Sequence, residues 1–126
     1  MKTIIEYITE LAKMSEFLKR KIDVNPQSIM EHLNHLAYTK SSVNQYMPDV
    51  QWLYDQKLAE VTTEILAKFE DKLQGNSSYI KNYIQGEMKD YRRASNFCDR
   101  VSSTIERQSE NYRSILSQLK QELNTQ

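Results

Sequence analysis

The sequence contains few residues that interrupt helices. Its 126 residues include 2 glycines and 2 prolines, whereas these two types together normally make up about 12% of a soluble chain. Because strand hairpins depend on such turn residues, a multi-stranded sheet is nearly excluded. The length suits one domain, since a single core typically organises about 100–200 residues. We therefore predict one all-α domain spanning residues 1–126.

The sequence also has only one cysteine, no long apolar run and no excess of one charge. The 17 Lys and Arg residues balance the 17 Asp and Glu residues, so no overall field attracts nucleic acid or an anionic membrane. The one cysteine, Cys98, excludes an internal disulfide, and we interpret it as a buried seam residue. Apolar runs are far shorter than the roughly 18 residues of a membrane span. Glu6 and Glu10 interrupt the first run before a signal-peptide pattern develops, so we expect a cytoplasmic protein with no membrane partner.

Apolar residues recur at helical spacing through most of the chain, and the helix breakers lie between these segments. Asn25 and Pro26 suit the start of a helix, and Pro48 predicts a kink or a short break. Gly75-Asn76 predicts a tight turn. The pattern predicts four helices, at about 3–21, 26–46, 49–74 and 78–123.

The last segment has the most regular pattern. Its apolar and aromatic residues alternate in steps of four and three, with Glu87 and Gln108 as polar exceptions. This is the heptad seam of a coiled coil, and polar seam residues commonly specify register or oligomeric state. Residues 26–74 and 78–124 have similar lengths. We therefore predict an elongated antiparallel helical hairpin or bundle with a coiled-coil-like seam, along which the first helix forms a third layer.

Both histidines lie near each other in the second helix. Pairs among Glu31, His32 and His35 are three or four residues apart, which is a spacing that places metal ligands on one helix face. A zinc site usually needs three protein ligands, and Glu31 and His32 point in different directions. We interpret the histidines as surface residues and predict no metal and no cofactor. A metal-dependent enzyme centred on these three residues is the weakest of three hypotheses, because no phosphate loop, nucleophile elbow or Glu-x-x-His motif occurs.

Five arginines on the last helix are candidates for nucleic-acid contact. Three of them recur at heptad spacing, which predicts a row along one flank where guanidinium groups can contact successive phosphates. Acidic residues directly precede two of these arginines and dilute the positive field. A solvated flank, or ion pairs between helices, is therefore an alternative interpretation. The candidates are Arg92, Arg93, Arg100, Arg107 and Arg113.

The last helix also carries a resemblance. The stretches Asp99–Ile105 and Tyr112–Glu122 are rich in Ser and Arg and end in the run Leu-Lys-Gln-Glu. In this composition and terminal run they resemble the C-terminal helix of small helical accessory proteins of tailed phages and prophages. Such proteins are often encoded among genes for replication and recombination. The resemblance covers about a quarter of the chain and includes no catalytic motif. It implies an accessory role in DNA metabolism without assigning a role to any residue.

Large apolar residues outside the predicted seams indicate self-association. Three helices around one seam would leave Trp52, Phe97, Ile115 and Leu116 exposed, and a second copy could cover them. We therefore predict a non-enzymatic helical interaction or assembly module, encoded by a phage or mobile element as the resemblance implies. Its expected partner is itself, as a homo-oligomer, or another helical protein. The alternative is a nucleic-acid-binding accessory protein of DNA recombination or replication that uses the arginine row.

Overall fold

The computed structural model describes residues 1–69 and 77–124. These residues form four helices, α1 (Ile4–Leu18), α2 (Pro26–Phe69), α3 (Ser77–Glu87) and α4 (Lys89–Asn124). The described ranges contain no strand, so the predicted all-α fold is confirmed. In those ranges no helix is long and apolar enough to cross a membrane. The predicted turn at Gly75-Asn76 lies outside the described residues.

The helix α1 is short, and a capping box fixes its start. Thr3 Oγ1 accepts a hydrogen bond from the Glu6 backbone N–H at 3.2 Å, and Glu6 Oε1 accepts from the Thr3 backbone N–H at 3.5 Å. This reciprocal arrangement satisfies two backbone donors at the start of the helix. One apolar face of α1 is buried against the other helices, through Ile4, Tyr7, Ile8, Leu11 and Leu18.

The helix α2 continues through Pro48, so the prediction of separate helices at 26–46 and 49–74 is wrong for the described part of this segment. Pro48 cannot donate a backbone hydrogen bond, which leaves the Asn44 carbonyl without its helical partner. Both residues are exposed, so water can satisfy that carbonyl. Long helices also curve with their solvent side convex, and a proline on that side is compatible with the curvature. The start of α2 is as predicted, because Asn25 Oδ1 accepts from the Ser28 backbone N–H at 2.9 Å.

The second arm consists of two helices rather than the single helix predicted for 78–123. Met88 separates α3 from α4, although helical hydrogen bonds of 2.9 Å still join Met88 N–H to Ile84 O and Arg92 N–H to Met88 O. Gly86 lies just before this break, and glycine is a poor helix former because it has no side chain to restrict its backbone. Met88 is fully buried and Glu87 is exposed. The prediction that Glu87 lies on the seam is therefore wrong.

The helices α2 and α4 are antiparallel and form the long axis of the molecule. His32 near the start of α2 contacts Gln108 of α4, while Lys57 further along α2 pairs with Glu87, just before α4 begins. Residue numbers therefore rise along one helix as they fall along the other. This antiparallel pair is the main structural unit on which the other elements pack.

The helix α1 covers only one half of this pair, and we call that half the three-helix part. Near the start of α1, Tyr7 OH donates to Asp49 Oδ2 of α2 at 2.7 Å. At its end, the Leu18 carbonyl accepts from Gln108 of α4. The three helices enclose a main core of Ile4, Tyr7, Ile8, Leu11, Leu18, Leu36, Val43, Val50, Ala94, Cys98, Val101 and Ile105.

Beyond the start of α1, the end of α2 packs against α3 and the start of α4, and we call this half the two-helix tip. Its buried cluster in the described residues consists of Val61, Ile65 and Met88. Polar contacts border this cluster. Lys57 Nζ lies 3.4 Å from Glu87 Oε2 and 3.7 Å from Glu60 Oε1. Burial alone would lower the pKa of Lys57, but the two carboxylates outweigh it and raise the pKa.

A tyrosine adds a second polar contact to the two-helix tip. Tyr83 OH donates to Glu64 Oε2 at 2.8 Å, and the Lys68 ammonium lies 5.9 Å from the centre of the Tyr83 ring. The hydrogen bond to Glu64, together with burial, raises the pKa of Tyr83 to about 12. Tyr83 is therefore a neutral donor at all ordinary pH values, and it links α3 to α2.

Candidate interaction surfaces

Gln108 joins all three helices of the three-helix part. Its Nε2 donates to the Leu18 carbonyl at the end of α1 at 2.7 Å, and its Oε1 lies 3.2 Å from His32 Nε2 on α2. Because the amide nitrogen faces Leu18, the amide oxygen must accept from His32, which assigns a proton to His32 Nε2. A polar seam residue with two specific partners holds the helices in one register.

His32 is buried, so the interpretation of both histidines as surface residues is wrong for this one. Only 5% of His32 is exposed, and its ring centre lies 4.9 Å from that of Tyr112 and 5.5 Å from that of Phe17. His35 is exposed and meets the Phe17 ring edge-on at 5.1 Å. The sequence contains the signal for this burial, because His32 lies in the 3-4 stepped row of buried residues between Ile29 and Leu36.

The histidines do not form a metal site with Glu31. In residues 1–69 and 77–124, no group of three or more His, Cys, Asp or Glu side chains is placed to hold a metal ion. A groove of about 430 Å³ passes His32 and His35, and its charges are of both signs, with Arg20 and Lys21 opposing Asp23 and Glu31. The groove therefore has no single electrostatic preference.

Cys98 lies in the main core, on α4. Burial, with a smaller contribution from the neighbouring Asp99 carboxylate, raises the pKa of the Cys98 thiol to about 11. The thiol is therefore protonated at neutral pH, whereas a nucleophilic cysteine reacts as the thiolate. Cys98 packs as a small apolar side chain, in agreement with its interpretation as a buried seam residue.

The five candidate arginines are all exposed, but they lie on two different flanks of α4. Successive helical residues are rotated by about 100°, so Arg93, Arg100 and Arg107 follow one another along a single flank. This flank adjoins α1, since Arg100 lines a groove of about 240 Å³ together with Ser15 and Lys19. The structure thus brings three of the five arginines together.

The other two arginines face α2. Arg92 lines a groove with Gln51 and Tyr54, and Arg113 lines another with Lys40 of α2. None of the five arginines forms an ion pair with a residue of the described ranges. The predicted row therefore consists of Arg93, Arg100 and Arg107, and the candidates Arg92 and Arg113 lie on another flank.

The three aligned arginines belong to a longer surface that we call the basic stripe, which consists of Lys89, Arg93, Arg100 and Arg107. Asn96 and Ser103 between them, and Asn111 after Arg107, are uncharged. Asp90 and Glu110 lie three residues from Arg93 and Arg107, about 60° around the helix, and so border the two ends of the stripe. Asp99 and Glu106 each precede an arginine by one residue and so point about 100° away from the stripe. Glu106 pairs with Lys40 of α2. The expected dilution of the positive field by these two acids is thus reduced by helix geometry.

The four residues predicted for an oligomer interface do not form one surface. Trp52 is 52% exposed on α2, whereas Phe97 is half-buried against the main core, with the Arg100 guanidinium 5.3 Å from its ring centre. Ile115 and Leu116 are half-buried near the end of α4. Of the four, only Trp52 is a large apolar side chain that is mostly open to solvent.

Trp52 belongs to a continuous row of exposed uncharged residues that hydrophobic periodicity alone does not reveal. We call this row the α2 outer face. Its members recur in steps of three and four along the side of α2 opposite the core. At 1.5 Å per residue the face is about 59 Å long, and the part from Met30 to Leu66 is about 54 Å long. Asp55 lies at its edge, where it accepts from Gln51 Nε2 at 3.0 Å. The face consists of Gln27, Met30, Asn34, Tyr38, Ser41, Gln45, Pro48, Trp52, Gln56, Ala59, Thr63 and Leu66.

No protein-family model matches the chain, and neither a curated protein nor a solved structure matches it. The resemblance of the last helix to accessory proteins of tailed phages therefore stays a prediction. The chemistry of the exposed faces carries the functional argument.

Proposed function

We propose that this chain is a non-enzymatic helical assembly module that pairs with a second copy of itself through the α2 outer face. The main support for this proposal is that such a long exposed helix face has no charged member, although 27% of the residues in the chain are charged. A helix side that meets only solvent normally carries charged residues. Two uncharged faces can lose their water without leaving an unpaired ion buried.

The order of residues along the face suits a two-fold axis. In an antiparallel pair centred on Pro48, Met30 of one copy lies opposite Leu66 of the other, at equal distances from the axis. Met30 is 51% exposed and Leu66 is 55% exposed, so the contact would cover both. Trp52 lies about one turn from the centre, where large aromatic residues contribute most to binding. An isologous contact of this kind closes as a dimer.

The size of the face predicts a reversible dimer. A strip about 54 Å long and about 10 Å wide covers roughly 500 Å² on each copy, or about 1,000 Å² in total. Specific interfaces usually bury about 1,200–2,000 Å², and weaker assemblies lie below that range. We therefore expect monomer and dimer to exchange at micromolar concentration. A cytoplasmic location and the predicted phage or mobile-element origin fit such an accessory module and remain part of the proposal.

Sedimentation over a range of concentrations tests the proposal. The wild type should pass from the monomer of 14.9 kDa to a dimer as its concentration rises. Trp52→Glu should remain monomeric, because it places a charge within the uncharged face. Ile5→Glu makes the same kind of change at an exposed residue of α1 and should dimerise like the wild type. A wild-type mass that stays monomeric at every concentration, or equal weakening by both variants, would contradict the proposal.

A further inference from the structure

We infer that the basic stripe of α4 binds the phosphate backbone of a nucleic-acid duplex without reading its base sequence. This role goes beyond self-assembly, because it uses a different helix and a different chemistry. Arg93, Arg100 and Arg107 are exposed and follow one another at intervals of about 10.5 Å, which is seven residues at 1.5 Å each. With Lys89 the stripe is about 27 Å long. A row of cations on a straight helix complements the regular charge of a duplex backbone.

The cations of the stripe are available to an external anion. Within the described residues, none of the four forms an ion pair. Arg100 lies over the Phe97 ring and Arg107 donates to Thr104 Oγ1 at 3.4 Å, and both contacts leave guanidinium donors unused. The net charge of zero means that the attraction acts over the stripe alone, since exposed charges beyond about 10 Å are largely screened at ordinary ionic strength.

The surroundings of the stripe favour backbone contacts over base contacts. Asn96, Ser103 and Asn111 supply neutral side chains that can donate to phosphate oxygens. Single-strand binding sites normally stack bases on exposed aromatic rings. The aromatic ring nearest the stripe in the described residues belongs to Phe97, which is half-buried in the main core. A duplex with its bases stacked inside is therefore the better match.

The edge of α1 extends the positive surface. Lys19 and Ser15 border the same groove as Arg100. Lys19 already pairs with Glu16 at 3.3 Å, and both side chains are highly exposed. An exposed pair of this kind is weak, so Lys19 can turn to a phosphate at little cost. The binding surface thus spans α4 and the end of α1.

Titration of a labelled DNA duplex at several salt concentrations tests the inference, with fluorescence anisotropy as the readout. Four phosphate contacts predict a slope of log affinity against log salt of about −3.6. This slope corresponds to about a 150-fold loss of affinity between about 50 and 200 mM salt. An RNA duplex should bind with a similar salt slope, because it offers the same phosphates, whereas a single strand should bind more weakly.

Two triple variants with the same change of charge separate the stripe from the rest of α4. Arg93→Gln with Arg100→Gln and Arg107→Gln removes three cations of the stripe, whereas a matched control neutralises three exposed cations off the stripe, namely Arg92, Arg113 and Lys120. The stripe variant should reduce the salt dependence to about fourfold over the same range and lower the low-salt affinity at least about tenfold. The control should bind within about threefold of the wild type.

Several results would overturn the inference. These are the absence of duplex binding by the wild type at low salt, equal losses in the two triple variants, and tighter binding to a single strand than to a duplex. All substituted residues are exposed, so circular dichroism should show both variants folded. Trp52→Glu alters only the α2 outer face, so this variant should remain monomeric and bind the duplex like the wild type. Duplex binding and dimerisation are thus tested separately.

Discussion

The three-helix part and the two-helix tip are built on the same helices and differ in how much apolar surface they enclose. The main core includes fully buried residues from three helices, such as Leu11 of α1, Leu36 of α2 and Ile105 of α4. In the described part of the tip, the buried cluster is Val61, Ile65 and Met88, bordered by the Lys57 ion pairs and the bond from Tyr83 to Glu64. A regular seam is thus enough to pair two helices, whereas a closed core requires the third helix.

This contrast predicts unequal local stability. A two-helix segment leaves more of each helix facing water. The local opening that exposes its backbone amides to solvent therefore costs less free energy. Amides in residues 57–66 and 80–86 should therefore exchange with solvent faster than those in residues 36–50 and 94–105.

The largest effect is expected from Leu11→Ala, because Leu11 is the fully buried centre of α1. Removing a buried leucine side chain should lower the free energy of unfolding by about 2–5 kcal/mol. If α1 creates the difference between the two regions, exchange in residues 36–50 should approach that of the tip. Urea unfolding followed by circular dichroism and hydrogen exchange measure the two effects. Ile5→Ala, at an exposed residue of α1, should change stability by less than about 0.5 kcal/mol, and an equal loss in this control would refute the argument.

An intermediate effect is expected from Gln108→Leu, which keeps the seam apolar but removes a polar junction. The Leu18 carbonyl and His32 Nε2 would both lose their partner, and each unsatisfied buried group costs about 1–3 kcal/mol. Thermal and urea unfolding should therefore show a clear destabilisation, confined to the three-helix part in hydrogen exchange. Gln118→Leu makes the same exchange at an exposed position of α4. The claim fails if Gln108→Leu is as stable as the wild type.

The smallest effect is a gain in the tip from Gly86→Ala. A Cβ atom at Gly86 would meet no atom within 4 Å, and the glycine has no positive φ. Alanine should therefore stabilise the helix by about 0.5–1 kcal/mol. Slower exchange in residues 80–86 and a higher Tm would measure the gain. The exposed Gln85→Ala is the control and should add only a few tenths of a kcal/mol; a loss of stability in Gly86→Ala would show that the break at Met88 requires glycine.

Hydrophobic periodicity predicted the helical fold, but the sequence did not predict where the helices continue or are interrupted. Seam spacing identified Ala94, Cys98, Val101 and Ile105, all of which are buried. Of the kink or short break expected at Pro48, the break does not occur. The cost of a proline depends on whether the freed carbonyl reaches water, and that depends on tertiary packing. At Met88 the steps of the seam shift by one residue, and a fixed 4-3 register cannot anticipate such a shift.

The candidate surfaces were predicted less completely than the fold. Heptad spacing correctly placed Arg93, Arg100 and Arg107 together, because helix geometry alone relates them. Arg92 and Arg113 were assigned by proximity in sequence, which does not report the side of a helix. The α2 outer face was missed because its members share an absence of charge, and such a row is noticed only once the buried side of α2 is known.

The exposure of Trp52 has a practical consequence. The chain contains one tryptophan, so the intrinsic tryptophan fluorescence of the protein comes from a single point on the α2 outer face. That signal reports the polarity around one side chain, free of contributions from the main core or the two-helix tip. Any molecule that covers this part of α2 displaces water from the indole ring, and the emission shifts to shorter wavelength without a label having been attached.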